Sequence, residues 1–380
     1  MNFSYVIIGA GISGCSIAYN LAKKGVKNIA VIDKAYLTSG STGRCGAGVR
    51  QQWGTKMNCL LAKASVEFFQ TAEETLEYNG KIEFDQEGYL IIAVTPEEDA
   101  DFEKNVLLQQ SLGIPSKKLT KEEAKQIVPH LNTDIILSAT FCPTDGHLNP
   151  FKMTDAYFQA AKRLGVSFFF DEEVIDIIVR NNKIEKVITS KREFNTNNVI
   201  NAAGGYSKII TDMVGIDTPV YPERHEILVT EPIEKIQGPM VMSFSKNLYC
   251  QQVPHGSFVM GRTTVGEKPG YSTASSWQFL DEMSKTVCEI LPPVGNLRVL
   301  RQWAGLYTMS PDRQPIISDC DLPGFYLACG FSGHGFMFAP MTGLLLSEII
   351  LNETLSIDIS DLHINRFKNN KTFTYEKSVV

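Results

Sequence analysis

Two glycine-rich runs near opposite ends of the chain hold the residues best suited to chemistry: Gly9-Ala10-Gly11-Ile12-Ser13-Gly14 and Gly330-Phe331-Ser332-Gly333-His334-Gly335-Phe336. In the first, Gly9, Gly11 and Gly14 permit a tight turn, close approach of backbone to phosphate, and close packing of a helix on a strand. The unpaired N–H groups at a helix start then attract the anion. Asp33 follows about 20 residues after the last of these glycines, the spacing at which an acid bonds the ribose 2′-hydroxyl of a dinucleotide. The second run sets a histidine between two glycines ahead of an apolar helical stretch.

These loops need elements to hold them. Tyr5-Val6-Ile7-Ile8 reads as a strand, Cys15 to Ala22 as a helix, and Ile29-Ala30-Val31-Ile32 as a second strand, so the first run falls between strand and helix. Ala62 to Tyr78 has helical periodicity and Glu87 to Val94 reads as a strand. Thr95-Pro96-Glu97-Glu98 and Thr120-Lys121-Glu122-Glu123 carry helix-start signals. An alternating rhythm resumes with a helix over 154–164, strands near 166–170 and 174–179, and Asn198-Val199-Ile200-Asn201. Residues 219–312 are strand-rich, which predicts an antiparallel sheet. Gly324 to Cys329 is a buried strand feeding the second glycine run. The fold class is therefore α/β: a Rossmann-type dinucleotide domain with an inserted antiparallel-sheet (α+β) domain. The expected division is 1–85, 143–218 and 313–380 for the first and 86–142 with 219–312 for the second.

Composition removes other classes. With 43% apolar residues the chain can bury a sizeable core, and a net charge of −6 without a basic cluster argues against nucleic acid. The eight cysteines form no CxxC pair and, with the histidines, no zinc or iron–sulfur spacing, so no metal is expected and a reducing cytoplasmic location is. The apolar stretch from Phe336 to Leu351 contains Glu348 and is shorter than the ~20 residues needed to span a bilayer, so it reads as a core helix and no transmembrane segment is expected.

Several further segments make the pattern specific: Ser39-Gly40-Ser41-Thr42-Gly43-Arg44-Cys45-Gly46-Ala47-Gly48-Val49-Arg50-Gln51-Gln52, Pro143-Thr144-Asp145-Gly146, Asn201-Ala202-Ala203-Gly204, and Arg301-Gln302-Trp303-Ala304-Gly305. With the two glycine runs they resemble the D-amino acid oxidase superfamily of FAD-dependent oxidoreductases, and within it the β subunits of dye-linked L-proline dehydrogenase and multimeric sarcosine oxidase. The resemblance implies FAD extended along the first loop, in contact with Gly9, Gly11, Ile12, Ser13 and Gly14 and, at the adenosine, Asp33 and Lys34. Ser41, Thr42, Arg44, Cys45 and Gly46 would lie near pyrophosphate and flavin, Val174 would face the adenine through its backbone, and Ala203 and Gly204 would approach the dinucleotide. Gly305, Gly330, Gly333, His334, Gly335, Phe336 and Met337 would meet the isoalloxazine, where N–H dipoles stabilise negative charge on a reduced ring.

The implied reaction is oxidation of a small amino or imino acid, proline-like or N-alkylated, by hydride transfer from the α-carbon to flavin N5. Arg50 is the candidate for the substrate carboxylate because a guanidinium fork holds it bidentately; a surface or intersubunit ion pair is the other reading. His334 contacts the cofactor, helps place substrate, or caps its loop. Tyr249 and Gln251 are candidates for the substrate pocket, while His225, His255 and His147 are weaker ones. Monomeric sarcosine oxidases carry a lysine where this chain has Met337 and a flavin-bearing cysteine where it has Gly305, so FAD is expected to be noncovalent. Pro150 stands near the position of the histidine that tethers FMN in sarcosine oxidase β subunits, so any interfacial FMN would also be noncovalent. An α-type redox subunit is the expected partner. A self-sufficient glycine, D-amino acid or sarcosine oxidase producing hydrogen peroxide, and a noncatalytic FAD-stabilised assembly subunit, are the competing readings.

Overall fold

In a computed structural model, which describes residues 1–264, 266–368 and 375–378, the strand Tyr5–Ile8 lies inside a six-stranded sheet. Its neighbours Ile29–Ile32 and Val199–Asn201 run parallel to it and are buried throughout, consistent with a sheet covered on both faces. Ser167–Phe169 and Phe325–Cys329 extend the parallel set, and Ile316–Asp319 closes one edge antiparallel.

Two helices explain why the glycine runs share one site. Ile12–Lys23 follows the first run and Gly335–Ile350 follows the second, and neither has a side-chain cap. They cross where a Cβ on Gly343 would lie 2.2 Å from the Ser16 hydroxyl, so only a glycine admits this approach. Gly335–Ile350 is buried nearly all round, as its composition predicts, and Lys56–Thr75 packs beside it. Lys56–Thr75 begins six residues before the expected Ala62 because Thr55 caps it through the Asn58 N–H, and a cap outweighs the weaker periodicity of the first turn. The helix starts Pro96–Ser111 and Lys121–Ile127 both carry complete capping boxes.

An eight-stranded sheet draws its strands from 89–142 and 221–309. It is antiparallel except where Met240–Ser243 runs parallel to Tyr89–Ala93, a departure from the uniform antiparallel pattern the local sequence predicts. Parallel pairing joins segments far apart in the chain, and no turn between them marks it. A small sheet of Val174–Arg180, Lys183–Thr189 and Glu193–Asn195 packs against the six-stranded sheet in an apolar cluster that joins Ile177 and Val187 to Val6 and Ile8, and Gly48–Val49 pairs with Gly146–His147. Separate apolar clusters fill the two main sheets, one around Ile7, Ile17 and Phe338, the other around Leu90, Phe258 and Phe279. Among the described residues no helix is long and apolar enough to cross a membrane, and no group of side chains is arranged to hold a metal ion.

Candidate functional site

One continuous cavity of about 470 Å³ runs from the first glycine loop, past Ser41 and Arg44, to His334 and the eight-stranded sheet. At its first end Gly9 has φ +112°, and a Cβ there would lie 2.4 Å from the Ala202 carbonyl oxygen. A Cβ on Gly14 would stand 1.9 Å from the Gly9 carbonyl oxygen, so Gly14 serves the packing of helix on turn and lies outside the cavity wall. Gly11, Ile12 and Ser13 line the cavity, and the Ile12 N–H donates to Thr42 Oγ1 at 3.1 Å. Asp33 also lines it, but its carboxylate already accepts from the Ala10 and Ala35 N–H groups at 2.8 and 2.9 Å. It therefore fixes the loop as well as facing the cavity. Lys34 Nζ sits 3.3 Å from the Tyr206 ring centroid, a cation–π pair on the same wall.

The turn Ser41–Arg44 is clipped to the strand Val299–Met309. Ser41 Oγ donates to the Leu306 carbonyl at 2.6 Å, Arg44 Nη1 to that of Ala304 at 2.9 Å, and the Trp303 indole N–H to that of Arg44 at 3.0 Å. Cys45, Gly46, Ala203, Gly204 and Gly305 complete this middle section. Burial pushes the Cys45 thiol up to about 12, so it stays protonated. A Cβ on Gly204 would meet nothing within 4 Å, which leaves open space beside the backbone.

The other end is dominated by Arg50 and His334. Arg50 is only 3% exposed, and among the described residues its guanidinium bonds to backbone carbonyls and pairs with no carboxylate. It donates to the carbonyls of Gln52, at 2.7 Å, and Ser378, and lies 3.7 Å over the Trp53 ring. Burial draws its pKa down from the ordinary arginine value, partly offset by Tyr89, Glu376 and Asp145. A buried cation facing a cavity without an anion is suited to bind one from solution. His334 is 2% exposed, and among the described residues neither ring nitrogen has a hydrogen-bond partner. Desolvation, and next the Arg50 charge, bring its pKa to about 3, so the ring is neutral and ready to donate or accept one bond. Its ring packs edge-on to Trp53 and Phe338, each at 4.9 Å.

Gly333, Gly335, Phe336 and Met337 stand on the wall beside His334, while Gly330 and Val174 do not. Gly330 turns the chain beneath it with φ +68°, and Val174 is buried in the apolar cluster under the small sheet. Tyr249 lines the cavity, but Gln251 stops short: its amide donates to the Gly46 carbonyl at 2.6 Å and so supports the loop from behind. Of the weaker histidines, His225 lines the cavity and stacks on Tyr307 at 3.5 Å between ring centroids. It is held by Glu223 at 3.2 Å, and burial lowers its pKa. His147 is buried in its two-residue strand and His255 is exposed in a turn, both away from this wall. Trp53, Tyr89, Met240, Met242 and Tyr307 also form the wall and carry no local motif that marks them beforehand.

The Arg50 turn is held from below by Asp145. Its carboxylate accepts from the Gln51 N–H at 2.8 Å, the Gln51 amide at 3.3 Å and the Gln52 amide at 2.9 Å. Burial raises its pKa to about 6 despite these donors.

Against known proteins, the model of the FAD dependent oxidoreductase family, DAO, matches residues 4–349. The chain belongs to this family. Sarcosine oxidase subunit beta of Rhodobacter capsulatus is 25% identical over 371 residues, covering 96% of this chain and 89% of that protein. Mitochondrial dimethylglycine dehydrogenase of Rattus norvegicus is 27% identical over 396 residues, but this chain spans only 46% of its length. Among solved structures, L-proline dehydrogenase from P. horikoshii superposes with a TM-score of 0.92 at 37% identity, covering 97% of this chain and 99% of that one. Glycine oxidase from Geobacillus kaustophilus shares the fold, with a TM-score of 0.88 at 22% identity over 96% of this chain and 99% of that one.

This DAO-family protein is an FAD-dependent oxidoreductase, and its cavity fits the cofactor. The glycine cradle at Gly9 and Gly204, two uncapped helix starts and the unpartnered His334 nitrogens are the groups a dinucleotide flavin would engage.

Proposed function

We propose that the protein oxidises a small secondary α-amino acid, proline-like or N-alkylated, as the β-type catalytic subunit of a multimeric dehydrogenase. The observation that carries this reading is Arg50, a buried guanidinium that has no acidic partner among the described residues, on the wall where the second glycine loop and the eight-stranded sheet meet. Bound FAD supplies the acceptor for a hydride from the substrate α-carbon. Arg50 binds the carboxylate and so sets the orientation of the α-carbon. Tyr89, Tyr249, Tyr307, Met240 and Met242 form a largely apolar enclosure that excludes water. Burial raises the pKa of all three tyrosines, so they remain protonated and offer hydroxyl groups rather than charge.

His334, neutral and without a hydrogen-bond partner among the described residues, would help hold the cofactor, and the N–H groups at the start of Gly335–Ile350 would favour negative charge on a reduced flavin. No cysteine stands at Gly305, which supports noncovalent FAD; Pro150, the first residue of the helix Pro150–Arg163, supports a noncovalent FMN if a partner subunit brings one to the interface. The secondary-amine class is supported by the names of the relatives, sarcosine oxidase subunit beta and L-proline dehydrogenase, and the α-type partner by the first of them. Anaerobic titration of the FAD-loaded protein with L-proline, sarcosine, glycine and a D-amino acid tests the reading. Loss of the oxidised-flavin band with L-proline or sarcosine is the expected result; reduction by glycine or the D-amino acid alone would overturn it.

A further inference from the structure

A segment beyond residues 4–349, the part of the chain that the family model matches, reaches the carboxylate-binding end of the cavity. Glu376 is 1% exposed and sits at the start of Lys56–Thr75, where its carboxylate accepts from Thr55 Oγ1 at 3.0 Å and Asn58 Nδ2 at 2.9 Å. A helix start is a favourable place for this charge. The Glu376 N–H donates to the Asp312 carbonyl at 3.1 Å, and Lys377 meets Asp101 at 3.3 Å, so the segment is fastened on both sides. Ser378 then joins two charges. Its N–H donates to Glu376 Oε1 at 2.9 Å while its carbonyl accepts from Arg50 Nη2.

We propose that Glu376 is a positioning residue for Arg50: through Ser378 it holds the guanidinium in the orientation that receives the substrate carboxylate. The proposal rests on the reading of Arg50 given above. Two backbone carbonyls, of Gln52 and Ser378, fix the plane of a guanidinium that has five N–H donors, so donors remain for a ligand. Without Ser378 in place, Arg50 would keep the Gln52 carbonyl and the Trp53 face but lose the bond that sets its outer nitrogen. Glu376 also lies near enough to favour the charged form of Arg50 without contacting it. The buried anion therefore partly compensates the buried cation while leaving its fork available.

The test uses the FAD-loaded full chain and acetate as the probe, with binding read from the flavin absorbance change. Arg50→Gln should lose acetate binding. Glu376→Ala should raise the acetate Kd and the KM for the secondary amino acid by about tenfold, the loss of one oriented hydrogen bond to a charged group. Its kcat and FAD affinity should stay within about twofold. This KM-against-kcat split separates positioning from general loss of structure. Glu376→Gln keeps an acceptor for Thr55 and Asn58 and should shift Kd in the same direction, so it serves if the alanine variant does not fold. Wild-type or tighter acetate binding in the Glu376 variants, with Arg50→Gln inactive in binding, would overturn the proposal, and tighter binding would mean that Ser378 competes with the ligand. Unchanged acetate binding by Arg50→Gln would overturn the Arg50 reading itself and the proposal with it.

Discussion

Trp53 braces Arg50 twice: its ring lies 3.7 Å below the guanidinium, and its indole N–H donates to the Arg50 carbonyl at 3.0 Å. Both side-chain direction and backbone of Arg50 therefore depend on a fully buried indole three residues along. Trp53→Leu removes both the aromatic face and the N–H donor. A cation–π contribution of about 0.5–2 kcal/mol is at stake. The KM for the amino acid should rise by roughly 2- to 30-fold while FAD stoichiometry is kept, measured by anaerobic flavin reduction against substrate concentration.

Arg50→Gln removes the charge and the fork together. Hydrogen bonds to charged groups contribute about 1.5–3 kcal/mol, so half-saturation for flavin reduction should rise by roughly 10- to 100-fold. Stopped-flow reduction rates across a substrate series would check it, and an unchanged concentration dependence would place the carboxylate elsewhere.

His334 makes stability depend on pH with a defined sign. Its folded pKa of about 3 lies below the ordinary value of 6.5, so between these the unfolded chain binds the extra proton. The contribution is fully present above pH 6.5 and is lost as pH falls toward 3. His334→Gln removes it, so the stability advantage of wild type over the variant should shrink on acidification by up to about 1.36 kcal/mol per pH unit. Denaturant unfolding of both proteins at several pH values measures this, and parallel curves would contradict it.

Asp145 acts with the opposite sign. Its pKa of about 6 is above the ordinary 3.8, so its protonated form favours the fold below pH 3.8 and that contribution disappears as pH rises through 6. Asp145→Asn should flatten this part of the stability profile. It should also raise KM, because the amide nitrogen that replaces one carboxylate oxygen cannot accept a hydrogen bond, so one of the two glutamines that hold the Arg50 turn loses its acceptor. Unfolding curves and KM measured at pH 5 and pH 8 would expose both effects.

Gly333→Ala tests the second glycine loop. The position has φ +93°, and a Cβ there would lie 2.3 Å from the Tyr307 ring, which is itself stacked on His225. Overpacking of this kind costs about 1–3 kcal/mol. Reduced FAD occupancy and a lower melting temperature are expected, read from flavin absorbance and thermal unfolding.

Much of the first half of the site was legible because its chemistry is backbone chemistry. Gly9 and Gly14 must be glycines for reasons of space, and such positions leave a mark in local sequence. The wall beyond Arg50 left none. Tyr249 and Gln251 share a face of one strand, yet Tyr249 reaches the cavity and Gln251 ends on the Gly46 carbonyl. Alternation gives the two faces of a strand but not what crosses them. Tyr89 and Met240 meet through the parallel pairing of distant strands, and Ser378 reaches Arg50 across more than three hundred residues; neither proximity has a sequence signature. Asp33 was legible in position, while its bonds to Ala10 and Ala35 emerge only from the folded loop.

The most direct test of the account is anaerobic titration of the FAD-loaded wild type and Arg50→Gln with L-proline and sarcosine, following the oxidised-flavin band. The account predicts bleaching of the wild type by at least one of the two at concentrations where Arg50→Gln stays oxidised. Equal bleaching of both proteins, or none in the wild type by either compound, would contradict it.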